Sequence, residues 1–381
     1  MSEINADRLA ESRPELVEII RAEIERDGRI TFARFMELAI GHSEFGYYAT
    51  GEVRAAFSGD FLTAPETHAI FGQTLVRQID ECWQHMGNPD RFTVREDGAG
   101  RGTLALDILS ELHDRFPNLY RATTYELADL NPSRVEEGLQ RLAELGYGDR
   151  IRAASGEPFD GLLLANELLD AFPVHRLIQH DGELREVYVI WKNGWFDDQI
   201  GPLSDPELTG LLSGVALTEG QRAEVSPQAI EWSGSICRQL SSGYAILIDY
   251  GYPASELYSE VHFDGTLKGY SRHDVTDDPY LRVGNQDLTA HVNFTAVSAA
   301  AQSGGCVELG LTNQAYFLAG LGIEQVLLQL QKTDATPHEY VLARDAVLHL
   351  IDPGGLGRFR VLLLGKNIEP EPPLRGFSFR L

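Results

Sequence analysis

Residues 92–109 read FTVREDGAGRGTLALDIL. A short apolar run meets glycines at 98, 100 and 102, and an apolar pattern of helical period follows. Glycines at a strand–helix junction let a ligand lie against bare backbone, and the first turn of the helix offers N–H groups without intrahelical partners. A dinucleotide site would space its glycines G-x-G-x-x-G. Here Thr103 stands where the third glycine would be, and Gly102 comes one place earlier. Further carboxylates and an amide recur where strands should end. TTYELADLNP carries Glu126 and Asp129, ANELLDAFP carries Asn166, Glu167 and Asp170, and IDYGYP carries Asp249 and Tyr250. An acid closing the second strand binds ribose hydroxyls in nucleotide folds. Asp129, directly before the Asn131-Pro132 helix start, is better placed for this than Glu126. Carboxylates at the other tips can hold a cationic fork through two parallel hydrogen bonds and accept its proton.

Positioning such residues requires alternating strands and helices. RFTVRE, TTYELADL, IRAAS and FDGLLLANE read as strands, with TLALDILSELHDRF and PSRVEEGLQRLAELG as helices between them. This alternation predicts an α/β fold with a mostly parallel, doubly wound sheet. GYAILIDYGYP supplies a second buried parallel strand and RFRVLLLGK, residues 358–366, a final one. Helices are expected over 13–40, 68–86, 221–241, 289–303, 312–331 and 338–350. The stretch VHRLIQHDGELREVYVIWKNGWFDD alternates with period two around DG and NG, the mark of antiparallel hairpins. The expected organisation is an N-terminal helical cap with a cofactor-covering loop (1–90), the first part of a Rossmann-like domain (91–173), an accessory insertion (174–240), the rest of that domain (241–366) with a substrate-side insertion (253–288), and a tail (367–381).

Charge and composition bound the partners. The 381 residues carry a formal net charge of −25, and only Lys192, Lys268, Lys332 and Lys366 are lysines. A surface this acidic disfavours nucleic acid and anionic lipid and favours a cationic partner. No apolar run is long enough to span a bilayer, so membrane insertion is not expected. The acidic start MSEINADRLAESRPELVEII resembles neither a secretory signal nor a transit peptide, which predicts a cytoplasmic protein. Cys82, Cys237 and Cys306 are widely spaced and suggest no disulfide framework. The histidines lack metal-ligand spacing, so no metal is expected. Neither a G-x-S-x-G elbow nor a phosphate-binding P-loop occurs.

The G-x-G-x-G spacing is the one used by methyltransferases that take S-adenosyl-L-methionine (SAM). GDFLTAPE (59–66), GAGRG (98–102), ANELLDAFPVHR (165–176), IDYGYP (248–253) and DLTAHVNF (287–294) follow one another in the order found in the MidA-like family of SAM-dependent methyltransferases, which the chain resembles from about residue 15 to 366. The resemblance implies a class I methyltransferase fold. Mitochondrial members of that family assist assembly of respiratory complex I by methylating an arginine of a core subunit. It also implies that Asp60, Phe61, Thr63, Pro65 and Glu66 fold over the cofactor, that Gly98, Gly100 and Gly102 hold its methionine part, that Asp129 binds the ribose, and that Asn166 and Glu167 face cofactor and substrate. The chain departs from the family at Ala99 and near Val283, where proline is common, and at Asn293, where aspartate is common; a charge-dependent role at 293 is thereby in doubt.

The expected reaction is in-line displacement of a methyl group from a sulfonium, in which the protein aligns the nucleophile and excludes water. Glu167 and Asp170 are the candidates for orienting a guanidinium and taking its proton; Asp170 could equally cap a turn. Tyr250 and His291 are candidate substrate contacts, and His291 could instead be a buried hydrogen-bonding histidine. Phe61, Tyr250 and Tyr252 could line the site or simply pack. The expected substrate is an arginine-containing protein. A small-molecule O- or N-methyltransferase and a non-catalytic SAM-binding assembly factor are the alternatives, and the sequence leaves the oligomeric state open.

Overall fold

A computed structural model describes residues 3–50, 64–271, 274–330, 336–368 and 373–379. The chain forms two compact units, each assembled from three segments. One comprises 62–168, 233–250 and 298–381, the other 1–61, 169–232 and 251–297.

The first of these units is built on a seven-stranded sheet: β1 (Phe92–Asp97), β2 (Thr123–Ala128), β3 (Ile151–Ala153), β4 (Phe159–Asn166), β5 (Leu240–Asp249), β6 (Val307–Asn313) and β7 (Arg360–Lys366). Their spatial order is β3-β2-β1-β4-β5-β7-β6. β7 runs antiparallel to both its neighbours and the remaining pairings are parallel. Strands β4 and β5 read as unbroken apolar runs because helices cover both faces of a parallel sheet; Leu162, Leu163, Leu164, Ala245, Ile246 and Leu247 are all buried. Helices Ile70–His85, Thr103–Arg115 and Pro132–Leu142 contribute Phe71, Leu75, Ile108, Leu109 and Leu142 to this core. The mostly parallel α/β architecture expected from the sequence is the one observed.

Two expectations fail in this unit. Residues 307–313, partly assigned to a helix, form edge strand β6, and the helical region after it breaks into Gln314–Leu321 and Ile323–Leu330 at left-handed Gly322. The three cysteines are also not all unpaired. Cys237 and Cys306 form a disulfide, because the helix Pro227–Gln239 and the turn after helix Phe294–Ser303 bring their Cα atoms to 5.8 Å across 69 residues of sequence. Cys82 is buried and free.

The other unit holds an antiparallel sheet, Ile30–Thr31, Glu183–Lys192, His175–His180 and Arg222–Val225 in that order, with Trp195–Gly201 also on the long strand. The DG and NG signals form its hairpin turns: Asp181, Gly182, Asn193 and Gly194 all have positive φ, as a two-residue turn of this kind requires. Helices Pro14–Asp27 and Phe32–Gly41 pack Leu16, Ile20, Phe32 and Phe35 into a core shared with Trp195, Phe196 and Tyr280. The 253–288 region, read as loop, includes strands Lys268–Ser271 and Asp274–Thr276, which join Asp287–Thr289 in a small sheet.

Candidate active site

The glycine loop joins β1 to the helix Thr103–Arg115. Gly98, Gly100 and Gly102 have φ of 77°, 53° and 73°, a region costly for residues with a side chain. What surrounds each glycine differs. A Cβ on Gly98 would lie 3.1 Å from Leu168 Cδ1, and one on Gly102 3.1 Å from Leu142 Cδ1, so both are constrained by the protein's own packing. A Cβ on Gly100 would meet none of the described residues within 4 Å. The N–H groups of Gly98 and Ala99 both donate to the Ala128 carbonyl, at 2.9 and 3.0 Å, which ties the loop to the tip of β2.

Asp129 follows that tip. Its Oδ2 accepts from the Gly100 N–H at 3.0 Å and its Oδ1 from the Asn131 N–H at 2.9 Å. Each carboxylate oxygen has a second acceptor site, so these bonds leave capacity for hydroxyl donors. Glu126 is committed elsewhere: its carboxylate is buried, taking Arg95 Nε at 2.7 Å and Arg152 Nε at 2.9 Å.

The turn after β4 carries Asn166 and Glu167. Glu167 has φ of 51°, unusual for a residue with a side chain and held against strain of order 1 kcal/mol by its surroundings. Its N–H donates to the Ile248 carbonyl at 2.9 Å. Its Oε1 accepts from the Ala64 N–H at 2.9 Å and from Asn166 Nδ2 at 3.0 Å. Burial outweighs these two bonds and, with the charges of Asp249 and Glu66, pushes its pKa up to about 8. Asn166 Oδ1 is buried with no hydrogen-bond partner among the described residues. Asp249, at the end of β5 and 1% exposed, accepts from the N–H of Leu168 at 3.1 Å and of Tyr250 at 2.8 Å. Half-buried Pro65 and Glu66 belong to a single helical turn, Ala64–Thr67, whose first N–H is the Glu167 donor. The Tyr250 ring lies on Phe359, centroids 3.9 Å apart. Asp60, Phe61 and Thr63 lie outside the described residues.

Asp170 and His291 belong to the other compact unit. Asp170 is buried in the turn Leu169–Ala171, and its carbonyl accepts the Ala290 N–H at 3.0 Å. The His291 N–H donates to Thr266 Oγ1 at 3.0 Å, and its ring neighbours Tyr252 and His262 at 5.5 and 5.9 Å. Asn293 caps the helix Phe294–Ser303: its Oδ1 accepts from Ala296 N–H at 3.1 Å while its Nδ2 donates to the Leu211 carbonyl at 2.9 Å. That arrangement requires an amide, since a carboxylate cannot donate.

Sequence reasoning passed over Glu96. It lies in β1, two residues before Gly98, 5% exposed, accepting the Tyr125 hydroxyl at 2.7 Å. Burial raises its pKa to about 8. The signal was present as an acidic pair, Glu96-Asp97, placed directly before the glycines at the end of the strand.

These groups suit SAM. Among the described residues nothing fills the place of a Gly100 side chain, a carboxylate ends β2, and a buried amide oxygen without a partner ends β4. Comparison with known proteins agrees. Residues 74–312 match the family described as "Putative S-adenosyl-L-methionine-dependent methyltransferase". The chain is 28% identical to the mitochondrial protein arginine methyltransferase NDUFAF7 homolog of Drosophila melanogaster, covering 95% of this chain and 88% of that one. It is 26% identical to mitochondrial protein arginine methyltransferase NDUFAF7 of Homo sapiens, covering 91% and 83%. A crystal structure from Burkholderia thailandensis bound to S-adenosyl-homocysteine superimposes with a TM-score of 0.87 at 32% identity, covering 98% of this chain and 96% of that one. The relatives named as mitochondrial overturn the cytoplasmic expectation, which rested on the composition of the N-terminus alone. With more than half its length matched by the family and nearly all of it aligned to that crystal structure, the chain is a member of the SAM-dependent methyltransferases.

Proposed function

We propose that the protein is a protein arginine N-methyltransferase in which Glu167 orients the guanidinium and takes its proton. The observation that carries this reading is the state of Glu167: an acid fixed on a strained turn, its pKa pushed up to about 8. The relatives named as arginine methyltransferases point to the same acceptor. SAM supplies the methyl group on its sulfonium. Gly100 would let the cofactor approach the backbone, Asp129 would hold its ribose, and the Asn166 amide oxygen would accept from its ammonium group. Pro65 and Glu66 stand in the turn that anchors Glu167, and Asp60 and Thr63 of the same motif are assigned to the cofactor by resemblance.

A guanidinium is a poor nucleophile because its charge is delocalised and its pKa lies above 12. Hydrogen bonds to one carboxylate localise that charge and aim one nitrogen along the displacement axis. An ordinary glutamate is too acidic to hold the released proton well. Burial makes Glu167 a stronger base, and an arriving guanidinium favours its ionised form. Asp170 is the second candidate acid, and Tyr250 and His291 the substrate contacts. In the free enzyme Glu167 is protonated below about pH 8, so kcat/KM rises with pH up to that value.

The test is labelling of an extract from a deletion strain with tritiated SAM, followed by mass spectrometry of the labelled band. Methylarginine in a polypeptide is the expected product. Label confined to small molecules, or to another residue type, rejects the arginine assignment.

A further inference from the structure

The turn Glu260–His262 and the residue after it present two apolar side chains to solvent. Val261 is 85% exposed, and Phe263, two residues on, is 39% exposed. A single exposed apolar residue is ordinary. These two differ in standing on a segment that is tied down along its length. The His262 Nδ1 lies 3.1 Å from the Leu257 carbonyl and 3.2 Å from the Glu256 carbonyl. Carbonyls only accept, so this nitrogen carries a proton and fastens the ring to the end of the helical turn Ala254–Leu257. The His262 N–H donates to the Ser259 carbonyl at 3.0 Å, the Gly265 N–H to the His262 carbonyl at 3.0 Å, and the Arg222 N–H to the Phe263 carbonyl at 2.8 Å. The His262 ring also meets Tyr252 and His291, centroids 5.1 and 5.9 Å away. His291 is the substrate contact assigned above, so the exposed pair flanks the residue next to it. Carboxylates bracket the pair in sequence: Glu260 directly before Val261 and Asp264 directly after Phe263, both exposed. Neither forms an ion pair among the described residues.

We propose that this turn is a docking surface for the protein that accepts the methyl group, with Val261 and Phe263 entering an apolar depression on that protein whose rim carries arginine or lysine. Apolar anchors within a charged rim are a common build for protein interfaces: the anchors supply affinity, and the rim supplies register and speed of encounter. The two carboxylates fix the sign of the partner. With acids on either side, and −25 on the chain as a whole, the surface repels an anionic partner and a second copy of this chain alike. A turn already fastened by its own hydrogen bonds loses little freedom on binding. The inference rests on the reading of the enzyme as a protein methyltransferase and deepens it, since it places recruitment of the acceptor outside the cofactor-binding segments.

The experiment uses the full chain, tritiated SAM and extract of a deletion strain, and reads the initial rate at which label enters polypeptide as extract protein is raised. The double variant Val261→Ser/Phe263→Ser is expected to lower that rate at least tenfold in dilute extract and to recover most of it in concentrated extract, with S-adenosylhomocysteine affinity unchanged. Glu260→Lys/Asp264→Lys, which changes only exposed side chains, is the second variant; it is expected to lower the rate at least fivefold, a deficit that shrinks at 300 mM salt. Leu348→Ser, at a position 58% exposed in the other compact unit, is the control and is expected to keep the parental rate. A parental rate in the serine double variant overturns the proposal, and so does an equal loss in Leu348→Ser. Label on a residue other than arginine, with the serine double variant still impaired, would refute the arginine reading and leave the docking surface standing. Methylarginine formed at the parental rate by that variant would do the reverse, and label confined to small molecules would remove both.

Discussion

At the scale of single residues, Gly100 and Glu167 carry the sharpest consequences. Among the described residues, Gly100 is the one glycine of its loop with nothing within 4 Å of where a side chain would start. Gly100→Val is expected to lower SAM affinity at least tenfold by calorimetry while shifting the melting temperature only modestly. Gly98→Ala should instead show its main effect in melting temperature, because the new methyl presses on Leu168. For Glu167 the pH dependence has a definite sign. Its pKa is about 8 in the fold against an ordinary 4.5, so the fold favours the protonated form. That contribution to stability is complete below the ordinary value and is lost as pH rises through about 8. Glu167→Gln should therefore melt progressively higher relative to the parent between pH 5 and 9, while methyl transfer falls by two orders of magnitude or more and SAM binding is retained. Both glycine and acid were legible in the sequence, because glycines at a junction and an acid at a strand tip are local patterns. The placement of Glu224 was not legible, since its carboxylate is held by donors of Thr266, 42 residues away.

At the scale of elements, the turn after β4 is held from the neighbouring strand. Asp249 receives the N–H of Leu168 and its charge helps to hold the Glu167 pKa up. Asp249→Asn keeps one acceptor, loses the other, and removes the charge. Its kcat is expected to fall about tenfold, and the pH at which kcat/KM levels off should move below that of the parent. A fall in kcat with no movement of the profile would reduce Asp249 to a structural fastening. The disulfide acts on a different pair of elements. Closing 69 residues of chain contributes about 4 kcal/mol in the chain-entropy description. A dithiol reductant, or the double variant C237S/C306S, should lower the melting temperature by several degrees without changing the SAM affinity. Strands β4 and β5 could be read directly because a parallel sheet buried on both faces demands continuous apolar runs. Edge strand β6 could not: Val307 is 55% exposed and only Thr312 among its seven residues is buried, so its pattern lacks either periodicity. The disulfide was equally invisible, because two cysteines 69 residues apart meet only when the intervening chain has folded.

At the scale of the whole molecule, charge sets how a cationic substrate arrives. With a net charge of −25, KM for an arginine-rich polypeptide is expected to rise several-fold between 50 and 300 mM salt, while binding of SAM changes little. A salt-independent KM would show that the acidic surface plays no part in recruitment. The segmental construction has another effect. The first 61 residues belong with partners that end at residue 297, and the sheet awaits β7 near the C-terminus. A ribosome moving at 5–20 residues per second therefore releases a long nascent polypeptide before either half can close, for on the order of ten seconds or more. Severing the gene anywhere between residues 62 and 297 yields fragments that each lack part of both units, so neither fragment of such a split carries a whole folding unit.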